Sequence, residues 1–143
     1  MAGVDPSEVA LERARAAHPE LDFTPPSPDG GLPFADGSFD VVVCLNVLEH
    51  VADTQRLMSE TRRVLRPGAS IAIAVPDHGR LRRTWIALTA FERHHDPLEP
   101  TLRHYSRRSL ASLLRQFGYG ELELAAAGGV PLFRRTLLAR ARR

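Results

Sequence analysis

The chain has 143 residues, 43% of them hydrophobic and 25% charged, with a formal net charge of +2. These values suit one soluble globular core and exclude a wholly disordered chain. The single cysteine, Cys44, excludes an intrachain disulfide, no apolar run reaches the about 18 residues of a membrane span, and Met1–Arg15 lacks a signal peptide's basic start; a cytoplasmic protein is expected.

Ala2–Val4 reads as a strand end, and Asp5-Pro6-Ser7 as a stop followed by a helix cap. In the helix that follows, Ala10, Ala14 and Ala17 share a face until His18-Pro19 ends it, and Leu21–Thr24 is a short strand. Pro25 to Gly37 holds four prolines and three glycines, which oppose helix and sheet, so this stretch is an ordered loop. The unbroken apolar run in Asp40–Leu45 (DVVVCL) predicts a parallel strand covered on both faces, with Cys44 a small core residue.

Asp53 caps a helix in which Leu57, Thr61 and Val64 or Leu65 recur, Arg66-Pro67-Gly68 stops it, and Ser70–Val75 is the next strand. Alternation of strands and helices at this spacing calls for right-handed crossovers into a parallel sheet, which is the α/β class. Leu81, Trp85 and Leu88 mark a further amphipathic helix, and His94–Arg103 is polar and proline-broken. Ser106 caps a last helix carrying Leu110, Leu113, Leu114 and Phe117, closed by Gly118. Glu121–Ala126 and Leu132–Ala139 are read as antiparallel strands joined at Gly128-Gly129.

All 19 basic residues are arginine, and Arg134, Arg135, Arg140, Arg142 and Arg143 crowd the last ten positions. The run is interrupted, so it reads as a solvated chain end, and nucleic acid is not expected as a partner. His94, His95, Asp96, Glu99 and His104 are irregularly spaced and match no compact zinc pattern; no metal site is expected.

Four segments in order, GVDPS (Gly3–Ser7), LPFADGSFDVVVCLNVLEHV (Leu32–Val51), RVLRPGA (Arg63–Ala69) and RHYSRRSLASLLRQFGY (Arg103–Tyr119), resemble the class I S-adenosylmethionine-dependent methyltransferases, particularly the small-molecule, quinone-biosynthesis-like branch. The resemblance implies a Rossmann-like sheet of order 3-2-1-4-5-7-6, with the cofactor over the carboxyl ends of its first four strands. It also implies that Ala2–Val4 is the family's second strand. The expected fold is then an α/β sheet lacking its first strand and glycine-rich loop and ending in an antiparallel hairpin. Residues 1–143 form one incomplete domain, with 77–105 as a lid or substrate-side insertion. A second copy or a missing N-terminal segment is expected to complete the sheet, and without it the chain should be unstable, rearranged or partner-dependent.

The expected activity is methyl transfer from S-adenosylmethionine to a small-molecule acceptor. The alternative is a truncated, inactive remnant, or a fragment with a misassigned start, that does not bind cofactor alone. Asp5, at a strand end, can accept hydrogen bonds from both ribose hydroxyls or can cap the helix. Asp29 falls one residue after the position, here Pro28, from which the family contacts adenine, and is otherwise a turn residue. Asn46 follows the buried strand and is expected on the cofactor face, with Val47 and Leu48 beside the methionine or adenosine portion. Glu49-His50 matches the family's EH pair, in which the acid can equally sit near a helix start and the histidine be structural. His50 and His104 are the candidates to take a proton from a hydroxyl or acidic-carbon acceptor.

Overall fold

A three-residue strand, Ala2–Val4 (β1), opens the computed structural model of the protein, which describes residues 1–77, 101–128 and 136–143. Helix α1 (Glu8–Ala17) starts where the Ser7 hydroxyl accepts the Ala10 N–H, and it leads to β2 (Asp22–Thr24), parallel to β1. The residue buried on α1 is Leu11 rather than the alanine stripe, because one leucine covers more apolar surface than the spaced methyl groups. Gly3 is needed where β1 meets β2, since a Cβ there would stand 2.7 Å from Cδ1 of Phe23.

The larger sheet has the order β3-β4-β6-β5, built from β3 (Phe39–Leu45), β4 (Leu65–Pro76), β5 (Gly120–Ala127) and β6 (Thr136–Arg142). β3 runs parallel to β4, while β6 is antiparallel to both β4 and β5. The two sheets share no strand pairing: β1 pairs with β2, and β3 with β4. The closing hairpin is therefore as expected, and the predicted break in the sheet falls between β1 and β3.

Helix α2 (Thr54–Val64) begins at Asp53, whose carboxylate accepts the Arg56 N–H. Helix α3 (Arg107–Gln116) begins at Ser106, where Ser106 and Ser109 cap each other reciprocally. Both helices pack on one face of the sheet. Met58, Val64, Leu110 and Leu114 join Cys44, Ile71, Ile73, Val75, Leu137 and Ala139 in a single core. Each large side chain there contributes about 1.5–3 kcal/mol by leaving water.

The opposite face differs from the expectation for DVVVCL. Val41, Val43 and Leu45 are 55–60% exposed, so β3 is covered on one face only, and strand alternation decides which side chains reach the helices. The arginine-rich end is corrected more strongly. It is not a solvated tail but strand β6, lying between β4 and β5, with Leu137, Ala139 and Ala141 buried and Arg140 and Arg142 on the outer face. Residues 129–135, where that strand was expected to begin, lie outside the described residues, as do Leu81, Trp85, Leu88 and His94–Glu99. Most of the expected 77–105 insertion falls there too. Among the described residues no helix is long and apolar enough to cross a membrane.

Candidate functional site

The chain leaves β3 through a turn set by Asn46, which takes φ 52° in the left-handed region while its N–H donates to the Ala74 carbonyl at 2.9 Å. Asparagine tolerates this conformation better than most side chains. The turn continues with the His50 N–H on the Val47 carbonyl at 3.0 Å. Asn46 and Val47 are exposed and Leu48 is 1% exposed, so the first two face solvent and the third belongs to the core beneath them.

A second segment staples this turn. Leu102 and Arg103 donate their N–H groups to the Glu49 carbonyl at 2.7 and 3.2 Å, and the Tyr105 hydroxyl donates to the Leu48 carbonyl at 3.4 Å. The Arg103 guanidinium spans the Val51 and Ala52 carbonyls. The H-Y-S segment therefore packs and positions: buried Tyr105 supports the turn, and the neighbouring His104 is exposed.

Glu49 is 2% exposed, and its Oε1 stands 3.9 Å from Nε2 of the half-exposed His50. Its Oε2 has no hydrogen-bond donor among the described residues. The acid is not near a helix start, since α2 begins only after the Asp53 cap, so the macrodipole does not account for it. Its chemical character escaped the sequence because burial is a tertiary property. The signal available was a carboxylate directly behind a core leucine at the end of an apolar strand.

Asp5 lies just past β1 and is exposed, with Oδ1 accepting the Ser7 N–H at 2.8 Å. Asp29 is engaged elsewhere: Oδ1 accepts the Gly31 N–H at 3.2 Å and Oδ2 pairs with Arg56 of α2 at 2.5 Å. The loop from Leu32 to Gly37 is clamped by α2. Glu60 accepts the Leu32 N–H at 2.8 Å, and Arg63 reaches the Leu32 and Phe34 carbonyls and the Asp36 carboxylate. The hydrogen bond from Arg63 holds the Glu60 carboxyl down at about 2, and the two carboxylates raise the Arg63 guanidinium. Edge-to-face packing of Phe34 on Phe39, centroids 4.9 Å apart, ties the loop to β3. Burial pushes the Cys44 thiol up to about 11, which suits a core residue and not a nucleophile.

A groove of about 770 Å³ lies between the start of α2 and the length of α3, lined by residues including Asp53, Gln55, Arg103, Ser109 and Gln116. None of Asp5, Asp29, Asn46, Val47 or Leu48 lines it. It is wide open to solvent, and we read it as a surface trough beside α3. The strand ends, where open α/β sheets bind ligands, are the better candidate site.

Residues 1–73 match the family described as methyltransferase domain. The chain is similar to a Mycolicibacterium smegmatis protein named as a probable S-adenosylmethionine-dependent methyltransferase, 37% identical over 75 residues that cover 52% of this chain and 29% of the relative. It is also similar to a ubiquinone biosynthesis O-methyltransferase of Rhizobium johnstonii, 36% identical over 76 residues, covering 50% of this chain and 30% of the relative. The chain thus matches under a third of the length of these curated relatives. Among solved structures, a SAM-dependent methyltransferase from Thermotoga maritima superposes with a TM-score of 0.74 at 21% identity, over 98% of this chain and 72% of that one. One from Methanosarcina mazei gives 0.71 at 20% identity, over 99% and 81%. At such identities these two likenesses establish the Rossmann-like fold.

Proposed function

The chain belongs to the methyltransferase-domain family of S-adenosylmethionine-dependent enzymes, and we propose that it carries a methyl group to a small-molecule acceptor in the cytoplasm. The reading is supported by one arrangement above others, the exposed Asp5 past β1 together with exposed Asn46 and Val47 past β3. An acid, an amide and an apolar side chain at strand ends suit the hydroxyls, polar edge and hydrocarbon of a nucleoside thioether. When bound, S-adenosylmethionine supplies the electrophilic methyl group.

The residues of the chain hold and align. Asp5 accepts the ribose hydroxyls through the oxygen not engaged by Ser7. Asn46 and Val47 flank the adenosine or methionine portion, and Leu48 fixes their height from the core. Asp29 turns toward adenine only by giving up Arg56. His50 and His104, both exposed, are the candidates for proton transfer, with solvent as the outlet. Alignment of nucleophile, carbon and sulfur is the larger part of catalysis in a direct displacement. Residues 77–105 we propose as the cover on the acceptor side.

The break between β1 and β3 favours a second reading. Each strand is paired along one edge, and Val41, Val43 and Leu45 are bare beside the break. We propose that a further strand, from a polypeptide segment beyond these residues, lies there, a second copy being the other candidate. Without it the chain would be an inactive, non-binding remnant. Calorimetric titration of S-adenosylhomocysteine into the 143-residue chain separates the readings. Micromolar binding that weakens on Asp5→Ala supports the enzyme; a folded chain that takes up no ligand supports the remnant.

A further inference from the structure

We propose that Glu49 is the group that receives the proton of the methyl acceptor, and that the acceptor is therefore a molecule presenting an O–H or N–H donor. This rests on the methyl-transfer reading above. Four observations carry it. The Glu49 side chain is 3% exposed, yet Oε2 meets no donor among the described residues. A buried carboxylate oxygen without a donor is strongly disfavoured, so such an atom is retained where something else supplies the donor. Among the described residues the Arg103 guanidinium does not supply it, because it is engaged on the Val51 and Ala52 carbonyls. Finally, the Glu49 carbonyl is held by Leu102 and Arg103 N–H groups, which hinders the turn from rolling the carboxylate out to water.

The position agrees with the chemistry. Glu49 stands three residues after Asn46, in the turn at the carboxyl end of β3 where ligands of open sheets bind. The acceptor's O–H or N–H bond breaks and its proton passes to Glu49 Oε2. The freed lone pair bonds the methyl carbon as the carbon–sulfur electron pair returns to sulfur. The proton then leaves by way of His50, whose Nε2 is 3.9 Å from Oε1 and whose ring is half exposed. Charge balances: a sulfonium and a neutral acceptor become a thioether, a methylated acceptor and a proton in water. An acceptor that arrives as an ammonium first delivers one additional proton to solvent.

The test needs no known substrate at its first step. An unpaired buried carboxylate is a stability liability, so in the full chain without ligand Glu49→Met, an apolar side chain of similar length, should melt higher by about 3 °C or more. An equal or lower melting temperature means an internal partner holds Oε2 and overturns the proposal. Glu49→Gln gives the same comparison if the methionine variant does not express. With S-adenosylhomocysteine present, catechol and benzylamine serve as probes of the two donor types. A thermal shift by catechol identifies a hydroxyl acceptor and one by benzylamine an amine, each absent in Glu49→Met; no shift by either overturns the acceptor class. In turnover, Glu49→Gln should lower kcat at least about 100-fold with S-adenosylhomocysteine affinity within about twofold. Retention within about threefold overturns the role. Failure of wild type and variant alike to bind S-adenosylhomocysteine defeats the methyl-transfer reading instead, and leaves the melting comparison to judge Glu49 by itself.

Discussion

Arg63 Nη2 stands 2.8 Å from Oε2 of Glu60, one turn earlier on α2, and that same oxygen accepts the Leu32 N–H at 2.8 Å. The pair therefore does more than stabilise a helix surface, because it holds the loop that enters β3. Arg63→Ala should reduce unfolding free energy by about 2 kcal/mol, since several charge-assisted hydrogen bonds go together. Urea melts measure it, and a loss under about 0.5 kcal/mol would show the clamp to be idle.

The same clamp sets a pH dependence. Glu60 is held at about 2 against an ordinary 4.5, chiefly by the hydrogen bond from Arg63. A carboxyl lowered by folding stabilises fully above its unfolded value and loses that contribution as pH falls toward the folded one. Stability should thus decline between about pH 4.5 and 2, by roughly 3 kcal/mol from this group. Urea midpoints of the wild type and Glu60→Gln across that range check it, and the variant's curve should be the flatter by that amount.

Asp5→Ala should weaken S-adenosylhomocysteine binding about 10- to 100-fold, the equivalent of losing charge-assisted bonds to two hydroxyls. Its cost to folding should stay below about 1 kcal/mol, because the carboxylate makes one exposed bond, to Ser7. Calorimetry and melting together separate these. Equal affinity in the variant would reduce Asp5 to a turn residue.

Asn46 sits at φ 52°, so replacement by glycine should be neutral within about 0.5 kcal/mol, while alanine should destabilise by about 1 kcal/mol. Denaturant midpoints decide. Two variants of equal stability would mean that the turn relaxes when the side chain changes.

On β3 and β4 the two faces should respond oppositely. Ile73→Ala, in the core, should cost about 2–4 kcal/mol, whereas Val43→Thr, on the bare face, should change stability by under about 0.5 kcal/mol and lessen self-association. Light scattering against concentration reads the second effect. A large loss of stability in Val43→Thr would show that face to be covered in solution.

Local chemistry was legible in the sequence. Ser7, Asp53 and Ser106 were read as caps and are caps, because a hydroxyl or carboxylate serving an N–H three residues on involves nothing distant. The motifs around Leu32–Val51 likewise led to the strand and turn that carry Asn46 and Val47. What escaped depends on long-range partners. The bond from Leu32 to Glu60 joins residues 28 apart, and the bareness of Val41 and Val43 depends on what packs above them. At the end of the chain the strand pattern through Leu137 and Ala139 pointed to the closing strand, but the charge of Arg140, Arg142 and Arg143 outweighed the period that Ala141 continues, and those last residues read as a tail.

The place of β6 in the sheet has a kinetic sequel. In the chain β5 is made before β6, yet in space β6 separates it from β4, with Ile71 opposite Ala141 on one side and Leu124 opposite Ala139 on the other. During synthesis, then, α3 and β5 emerge before the strand that β5 pairs with, and β4 waits with its outer edge open. Neither can settle until a later stretch threads between them. Zippering of this domain is thus expected to be an ending event rather than a progressive one, with an interval in which two strand edges are open to capture by neighbours or chaperones.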